Sequence, residues 1–201
     1  MSPAQLLADL VRIPALSGEE DLVASWLYDY LTGLGLTVRR KFNNLWFTVG
    51  TSGPRVMFCS HLDTVPAGTG WSVSPHAAQW SEGKLIGLGA NDAKGCGVAM
   101  IFAALEHQGE GQVTVALTGE EENGGQNGIL SVIGELQADG AVVGEPTSLR
   151  ACIEQGGLLL MEGVAKGTPA HAAHGKDNPI FKAARDLVKL GEVSFAPHPR
   201  M

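Results

Sequence analysis

An α/β fold, with a mostly parallel sheet covered by helices, is the class this sequence predicts, on three observations. Short apolar runs alternate with helical segments through the first 145 or so residues. Three of those runs pass directly into a loop bearing acids or an imidazole, as strands do where they end at a crevice on the carboxyl edge of a sheet. The composition builds a core, with 44% hydrophobic and only 17% charged residues over 201 positions.

The elements follow in order. Residues 3–11 read as a short helix that stops before Pro14. Ser17-Gly18-Glu19-Glu20 has the spacing of a capping box, in which the Ser17 hydroxyl accepts from the third helical N–H and Glu20 reaches back. The helix it opens is expected to run to residue 34, with Leu22, Val23, Trp26, Leu27, Tyr30 and Leu31 on one stripe, and Gly33 and Gly35 ending it. Residues 36–41 and 45–49 read as strands joined at Asn43-Asn44, and residues 55–60 as a buried strand ending at His61. Residues 62–83, rich in Gly, Pro and Ser, read as a long loop without a helix. A strand over 84–86, a helix over 94–107, a strand over 112–117, a helix over 126–136 and a strand over 140–143 complete the rhythm. Beyond Pro146 the pattern changes to one or two strands in 151–165, a Gly/His loop and a helix over 179–190. The change divides the chain into domains at 1–149 and 150–201. No internal repeat is visible.

Charge and cysteine usage narrow the function. Fourteen Lys and Arg against 21 Asp and Glu give a net charge of −7, which offers no basic face to nucleic acid or anionic lipid. No apolar run approaches the roughly 20 residues needed to cross a bilayer. The first nine residues carry no basic segment of a secretory signal, so the expectation is a cytoplasmic protein with neither a nucleic-acid nor a membrane partner. Cys59, Cys96 and Cys152 form no C-x-x-C pair and read as reduced, packed thiols rather than a zinc knuckle or disulfide framework. Many of the 27 glycines flank acids and histidines, which marks tight functional loops.

The chemistry gathers at strand ends. Met57-Phe58-Cys59-Ser60 leads into His61-Leu62-Asp63, residues 113–118 into Gly119-Glu120-Glu121-Glu122, and Ala141-Val142-Val143 into Gly144-Glu145-Pro146. A fourth loop, residues 87–95, joins a short strand to a helix and carries Asp92. One imidazole with several carboxylates is ligand chemistry for a borderline divalent cation such as Zn²⁺, Co²⁺ or Mn²⁺. Acids crowded in a crevice repel one another without a cation, so two ions bridged by one carboxylate are expected. In His61-x-Asp63, Asp63 is placed to hold the imidazole of His61 rather than to reach the same ion. His76, His107 and His174 read as packed or solvated.

These stretches resemble the M20 family of zinc amidohydrolases, which includes acetylornithine deacetylase, succinyl-diaminopimelate desuccinylase, aminoacylase and glutamate carboxypeptidase. The resemblance rests on Ser60-His61-Leu62-Asp63-Thr64-Val65-Pro66, Gly70-Trp71 with Ser74-Pro75, residues 87–95, Thr118-Gly119-Glu120-Glu121-Glu122-Asn123-Gly124 and Val143-Gly144-Glu145-Pro146-Thr147, in the family's order. It implies a zinc-exopeptidase-like catalytic domain followed by an incomplete α+β lid, begun at Gly167-Thr168-Pro169-Ala170-His171. It further implies that His61 and Glu145 bind one metal, Glu122 the other, and Asp92 both. Glu121 is the implied general base, which takes a proton from water and delivers it to the leaving amine, while Asp63 orients His61. His171 resembles the lid histidine that, in dimeric members, reaches the partner's site and stabilises the oxyanion. The family also suggests a cis bond after Asp92. The implied activity is hydrolysis of a small N-acyl amino acid, on the model of acetylornithine deacetylase in arginine biosynthesis, by a homodimer joined through the lid.

The sequence departs from the family at several points. Leu88 stands where Arg is usual, Glu120 where Asp is common, and residues 124–128 form a slightly longer loop. The family's later segment carries a second metal-binding His, and His198 has none of its context, so the chain reads as the N-terminal portion of an M20 enzyme, weakly stable and feebly active alone. Aminoacylase, carboxypeptidase and dipeptidase activities are alternatives within the family. A catalytically idle fragment, and a nucleotide-binding module using Gly87-x-Gly89 and Lys94-Gly95 as a phosphate cradle, are alternatives outside it.

Overall fold

The computed structural model describes residues 1–171 and 177–195, which fall into two compact units, Met1–Ala151 and Cys152–Met201. His174 and His198 lie outside the described residues.

The first unit is an α/β layer structure. Helix α1 (Pro3–Arg12) starts at Ser2, whose side chain accepts from the Gln5 amide, and has Pro3 in its first turn. Helix α2 (Asp21–Gly33) buries Val23, Ala24, Leu27 and Leu31. Strand β1 (Arg39–Lys41) turns through Phe42-Asn43 into β2 (Asn44–Val49), with Lys41 paired to Asn44. Strand β3 (Arg55–His61), helix α3 (Lys94–Leu105), strand β6 (Gln112–Thr118) and strand β7 (Gly140–Val143) complete the main body. Between β3 and α3 lies a small hairpin of β4 (Gln79–Ser81) and β5 (Lys84–Ile86).

The five-stranded sheet has the order β1-β2-β6-β3-β7 and is mixed. β1–β2 and β2–β6 are antiparallel, whereas β6–β3 and β3–β7 are parallel. The register pairs His61 with Thr118 and Cys59 with Val143, which brings the carboxyl ends of three parallel strands to one edge. Because β2 runs the other way, its first residue, Asn44, reaches the same edge. Side chains of the buried central strand alternate between two cores. Val115 and Leu117 join Leu6, Leu10, Val23, Leu27, Leu31, Phe47 and Ile101 on the face covered by the helices, while Ala116 joins Trp46, Met57 and Val132 on the other.

Four expectations for the first unit need correction. Leu22 is 69% exposed, because Val23, Leu27 and Leu31, spaced by four, carry the buried stripe and Leu22 falls beside it. The hairpin partner β4 lies inside the segment read as loop; Glu82-Gly83, both with positive φ, form its tight turn. The helix over 126–136 is instead two 3-10 turns, Ile129–Ser131 and Ile133–Glu135. The Ser131 hydroxyl donates to the carbonyls of Gly128 and Asn127, and the Asn44 side-chain amide also donates to the Asn127 carbonyl, so side chains claim the acceptors an α-helix would use. The fourth is the capping box, whose two side chains are engaged elsewhere. Helix α2 has Glu20 as its N-cap residue with no side-chain cap bond.

The second unit contains helix α4 (Pro179–Gly191), capped by Asn178, whose side chain accepts from the Ile180 amide. The strands expected in 151–165 are not formed among the described residues; no ladder pairs this stretch, and a strand without a partner leaves its backbone groups unpaired. No described helix is long and apolar enough to cross a membrane.

Leu27 is fully buried in the helical layer. Replacing it by Ala is expected to lower unfolding free energy by about 2–5 kcal/mol, whereas Leu22→Ala changes it by less than about 0.5 kcal/mol. Urea unfolding of both variants checks this, and equal losses would contradict the assigned helix face.

Candidate metal centre

The centre is built from the loops that follow the parallel strands and from the segment ahead of α3. His61, the last residue of β3, is 2% exposed, and its two nitrogens face different partners. Nδ1 lies 3.1 Å from the Asp63 carbonyl oxygen and 3.4 Å from Asp63 Oδ1. Donating a proton there leaves Nε2 as the free lone pair. Nε2 is 3.1 Å from Asp92 Oδ1, 3.9 Å from Glu121 Oε2 and 4.0 Å from Glu145 Oε2. The donor atoms of His61, Asp92 and Glu145 all lie within 4.8 Å of one another. An ion about 2.0–2.2 Å from each donor bridges pairs up to roughly 4.2 Å apart, so both distances from the imidazole suit a single divalent cation.

Each carboxylate has a local structural reason for its place. Asp92 precedes α3, and the Asp92–Ala93 peptide is cis. Glu145 follows Gly144, whose amide donates to the Cys59 carbonyl at 2.7 Å and whose carbonyl accepts from the Ser60 hydroxyl at 2.9 Å. A Cβ at Gly144 would fall 2.8 Å from Met100 Cε and 2.9 Å from Cys96 Cβ, so only glycine lets this strand end lie against α3. Glu121 and Glu122 sit on the loop after β6. That loop is oriented by Glu120, which turns out of the site: with φ of 56°, its carboxylate accepts from the Asn127 amide and side chain. Glu120 therefore stands apart from the cluster.

Asp63 is the buried node between two loops. Its Oδ2 accepts from the Ser17 hydroxyl at 2.8 Å and from the Glu122 amide at 3.0 Å, while Oδ1 has no well-aligned hydrogen bond. Burial alone raises a carboxyl pKa, but the His61 ring, the Glu122 amide and the Ser17 hydroxyl outweigh it and lower that of Asp63. For His61, burial works towards the neutral ring, but contact with Asp63 and the charges of Glu121 and Glu145 reverse it and carry the pKa to about 9. Glu122 and Glu145 shift upward, each first through burial and then through neighbouring acids, with His61 opposing. This is the electrostatic pattern of a site with surplus negative charge.

The expected residues thus fall into three groups. His61, Asp92 and Glu145 come together, with Glu121 at their edge. Glu122 is outside that trio but close enough to feel Asp92, His61 and Glu121, and its amide is tied to Asp63. His171 is exposed in the second unit. Lys94, which a phosphate cradle would turn to its ligand, is fully buried and donates to the Ile13 carbonyl at 3.4 Å. Burial lowers its pKa to about 8 against the pull of Asp63. Sequence reasoning assigned Ser17, Glu20 and Asn44 no part in this site. The Asn44 Oδ1 accepts from the Gly119 amide at 3.2 Å, and Glu20 holds the Glu120 amide at 3.0 Å. The only signal for these was Ser-x-x-Glu, which local helix capping explains equally well.

Known proteins resemble this chain in sequence and in fold. A succinyl-diaminopimelate desuccinylase of Rhodospirillum centenum is 34% identical over an alignment that covers 92% of this chain and 55% of that protein. The chain therefore spans about half the length of the curated relatives it matches. An M20 family metallo-carboxypeptidase from Sulfolobus solfataricus superposes with a TM-score of 0.63 at 20% identity, over 72% of this chain and 37% of that one. A Bacillus subtilis protein described as a dinuclear metal-binding peptidase of the M20 family superposes at 0.51 with 15% identity, over 66% of this chain and 38% of its own. Peptidase family M20/M25/M40 matches residues 57–198, from inside β3 to beyond α4, and this chain belongs to that family.

Proposed function

We propose that the chain supplies the metal-binding portion of a hydrolase that cleaves the amide bond of an N-acyl amino acid. The observation that carries this reading is the convergence of His61 Nε2, Asp92 and Glu145 within 4.8 Å, beside the carboxylate of Glu121. The donor set, one imidazole and several carboxylates, fits Zn²⁺, with Co²⁺ and Mn²⁺ as alternatives. In this reading His61 and Glu145 hold one ion, Glu122 the other, and Asp92 both. Bound there, divalent cations supply Lewis acidity to an amide carbonyl and lower the pKa of water.

The remaining work falls to the chain. Asp63 accepts a hydrogen bond from the Nδ1–H of His61 and fixes the tautomer that leaves Nε2 open. Glu121, next to a proposed ligand, takes a proton from water at its carboxylate and returns it to the departing amine nitrogen. Residues 1–149 are the catalytic portion in this account, and 150–201 begin a lid from which His171 supports the oxyanion in a homodimer. N-acetylornithine and N-succinyl-diaminopimelate are the two substrates to compare. The first follows from the motif resemblance and an arginine-biosynthetic role. The second follows from the name of the curated relatives. A family dipeptidase or carboxypeptidase activity is the nearest alternative. The buried ammonium of Lys94 disfavours the nucleotide-binding alternative.

Metal uptake must expel the proton that neighbouring acids hold on His61. With a pKa of about 9 in the metal-free site, affinity for Zn²⁺ is expected to rise about tenfold per pH unit between pH 6.5 and 8.5 and to level off above 9, with one proton released at that ring. Calorimetric titration in buffers of different ionisation enthalpy measures both; an affinity independent of pH in that range contradicts the assignment.

Glu121→Gln is expected to cut hydrolysis of the preferred N-acyl amino acid about 10²–10⁴-fold while leaving metal uptake intact. Amine release across the substrate panel, with metal content measured in parallel, tests this. Equal rates in both proteins would remove Glu121 from its role, and no release from any substrate by a metal-loaded chain would favour the idle-fragment alternative.

A further inference from the structure

Resting on the metal reading above, we propose that Ser17 and Glu20 are positioning residues that clamp the Glu121–Glu122 loop onto the His61–Asp63 loop from outside the metal cluster. The two side chains that pattern reasoning gives to a helix cap are spent on this instead. Ser17 donates through Oγ to Asp63 Oδ2 at 2.8 Å, the same oxygen that accepts from the Glu122 amide at 3.0 Å. Ser17 also lies alongside the loop through its backbone: its amide donates to the Thr64 carbonyl, and the Thr64 amide donates to the Ala15 carbonyl. Asp63 Oδ2 is therefore held from one side by the chain before α2 and holds the Glu122 amide on the other.

Glu20 grips the same loop two residues earlier. Its carboxylate is fully buried, and three neutral donors hold it. The amides of Gly18 and Glu120 donate to Oε1 at 2.6 and 3.0 Å, and the Asn43 side-chain amide donates to Oε2 at 3.0 Å. A buried carboxylate is costly unless its oxygens are satisfied; here three donors satisfy them, and an apolar residue would leave those donors without a partner. What a carboxylate adds at this place is a two-sided acceptor between the start of α2 and the Glu120 amide. The approach is close: a Cβ at Gly119 would lie 3.1 Å from Glu20 Cδ. With the Glu120 amide held and its side chain turned outward, the backbone delivers Glu121 and Glu122 to the opposite, metal-facing side.

The clamp is tested in the metal-free protein by amide hydrogen exchange, and its consequence by Co²⁺ uptake followed by visible absorption. Ser17→Ala and Glu20→Ala are expected to speed exchange of the Glu120 and Glu122 amides at least about tenfold while leaving Val115, in the central strand, unchanged. Co²⁺ affinity is expected to fall about 10–100-fold. Ser17→Thr keeps the hydroxyl, and Glu20→Gln keeps the Oε1 acceptor, so both are expected to restore most of the protection and affinity. Unchanged exchange at Glu120 and Glu122 would overturn the proposal, as would equal acceleration at Val115, which marks a general folding role. If Glu20→Ala does not fold, the Ser17→Ala and Ser17→Thr pair decides. If the unsubstituted protein takes up no Co²⁺, the metal reading fails, and exchange in the metal-free protein still decides the clamp.

Discussion

The site rests on an electrostatic imbalance held in place by backbone geometry. Asp63, Asp92, Glu121, Glu122 and Glu145 surround one buried imbalance-bearing ring, that of His61, and no basic side chain joins them at hydrogen-bond range among the contacts described. Like charges at such distances are unfavourable in a partly desolvated crevice. The fold nevertheless enforces the arrangement, because parallel pairing of β3 with both β6 and β7 brings the loops after them to one edge, where the segment ahead of α3 adds Asp92. In the proposed reading, a cation offsets the charge that the strands bring together. The shifts run in one direction, with His61, Glu122 and Glu145 all pushed towards their protonated forms, the two carboxyls first by burial and then by the same surplus of negative charge.

Much of this was legible before any coordinates. Apolar runs placed β3, β6 and β7, of which β6 is buried along nearly its whole length and β7 is the exposed edge strand, and the polar loops after them carried the chemistry. What escaped was decided by contacts distant in sequence. The helix expected over 126–136 lost its acceptors to Ser131 and to Asn44, a residue on another strand. Ser17 and Glu20 have the spacing of a helix cap, and nothing local distinguishes a side chain that bonds three residues ahead from one that bonds Asp63 or Glu120, 46 and 100 positions away. Leu22 fell beside its helix's buried stripe because α2 packs along a repeat of four.

The failures at the 126–136 helix and at Ser17 and Glu20 have a common physical origin. Short polar side chains serve local capping and long-range bridging with the same geometry, and tertiary packing chooses between them. In this chain the long-range use prevails where loops must be held in register at the carboxyl edge of the sheet. Asn44 on the Gly119 amide, Glu20 on the Glu120 amide and Asp63 on the Glu122 amide form a row of acceptors along one loop. The loop that carries the proposed base is thereby fixed through its backbone, which leaves its carboxylates available for chemistry.

The central claim is that His61, Asp92 and Glu145 close around a divalent cation. X-ray diffraction from crystals grown with Zn²⁺, recorded on both sides of the zinc absorption edge, tests it most directly. The account expects an anomalous peak within coordination distance of His61 Nε2 and of the Asp92 and Glu145 carboxylates. A zinc peak bound elsewhere, with these three side chains engaged only with water or one another, would contradict it.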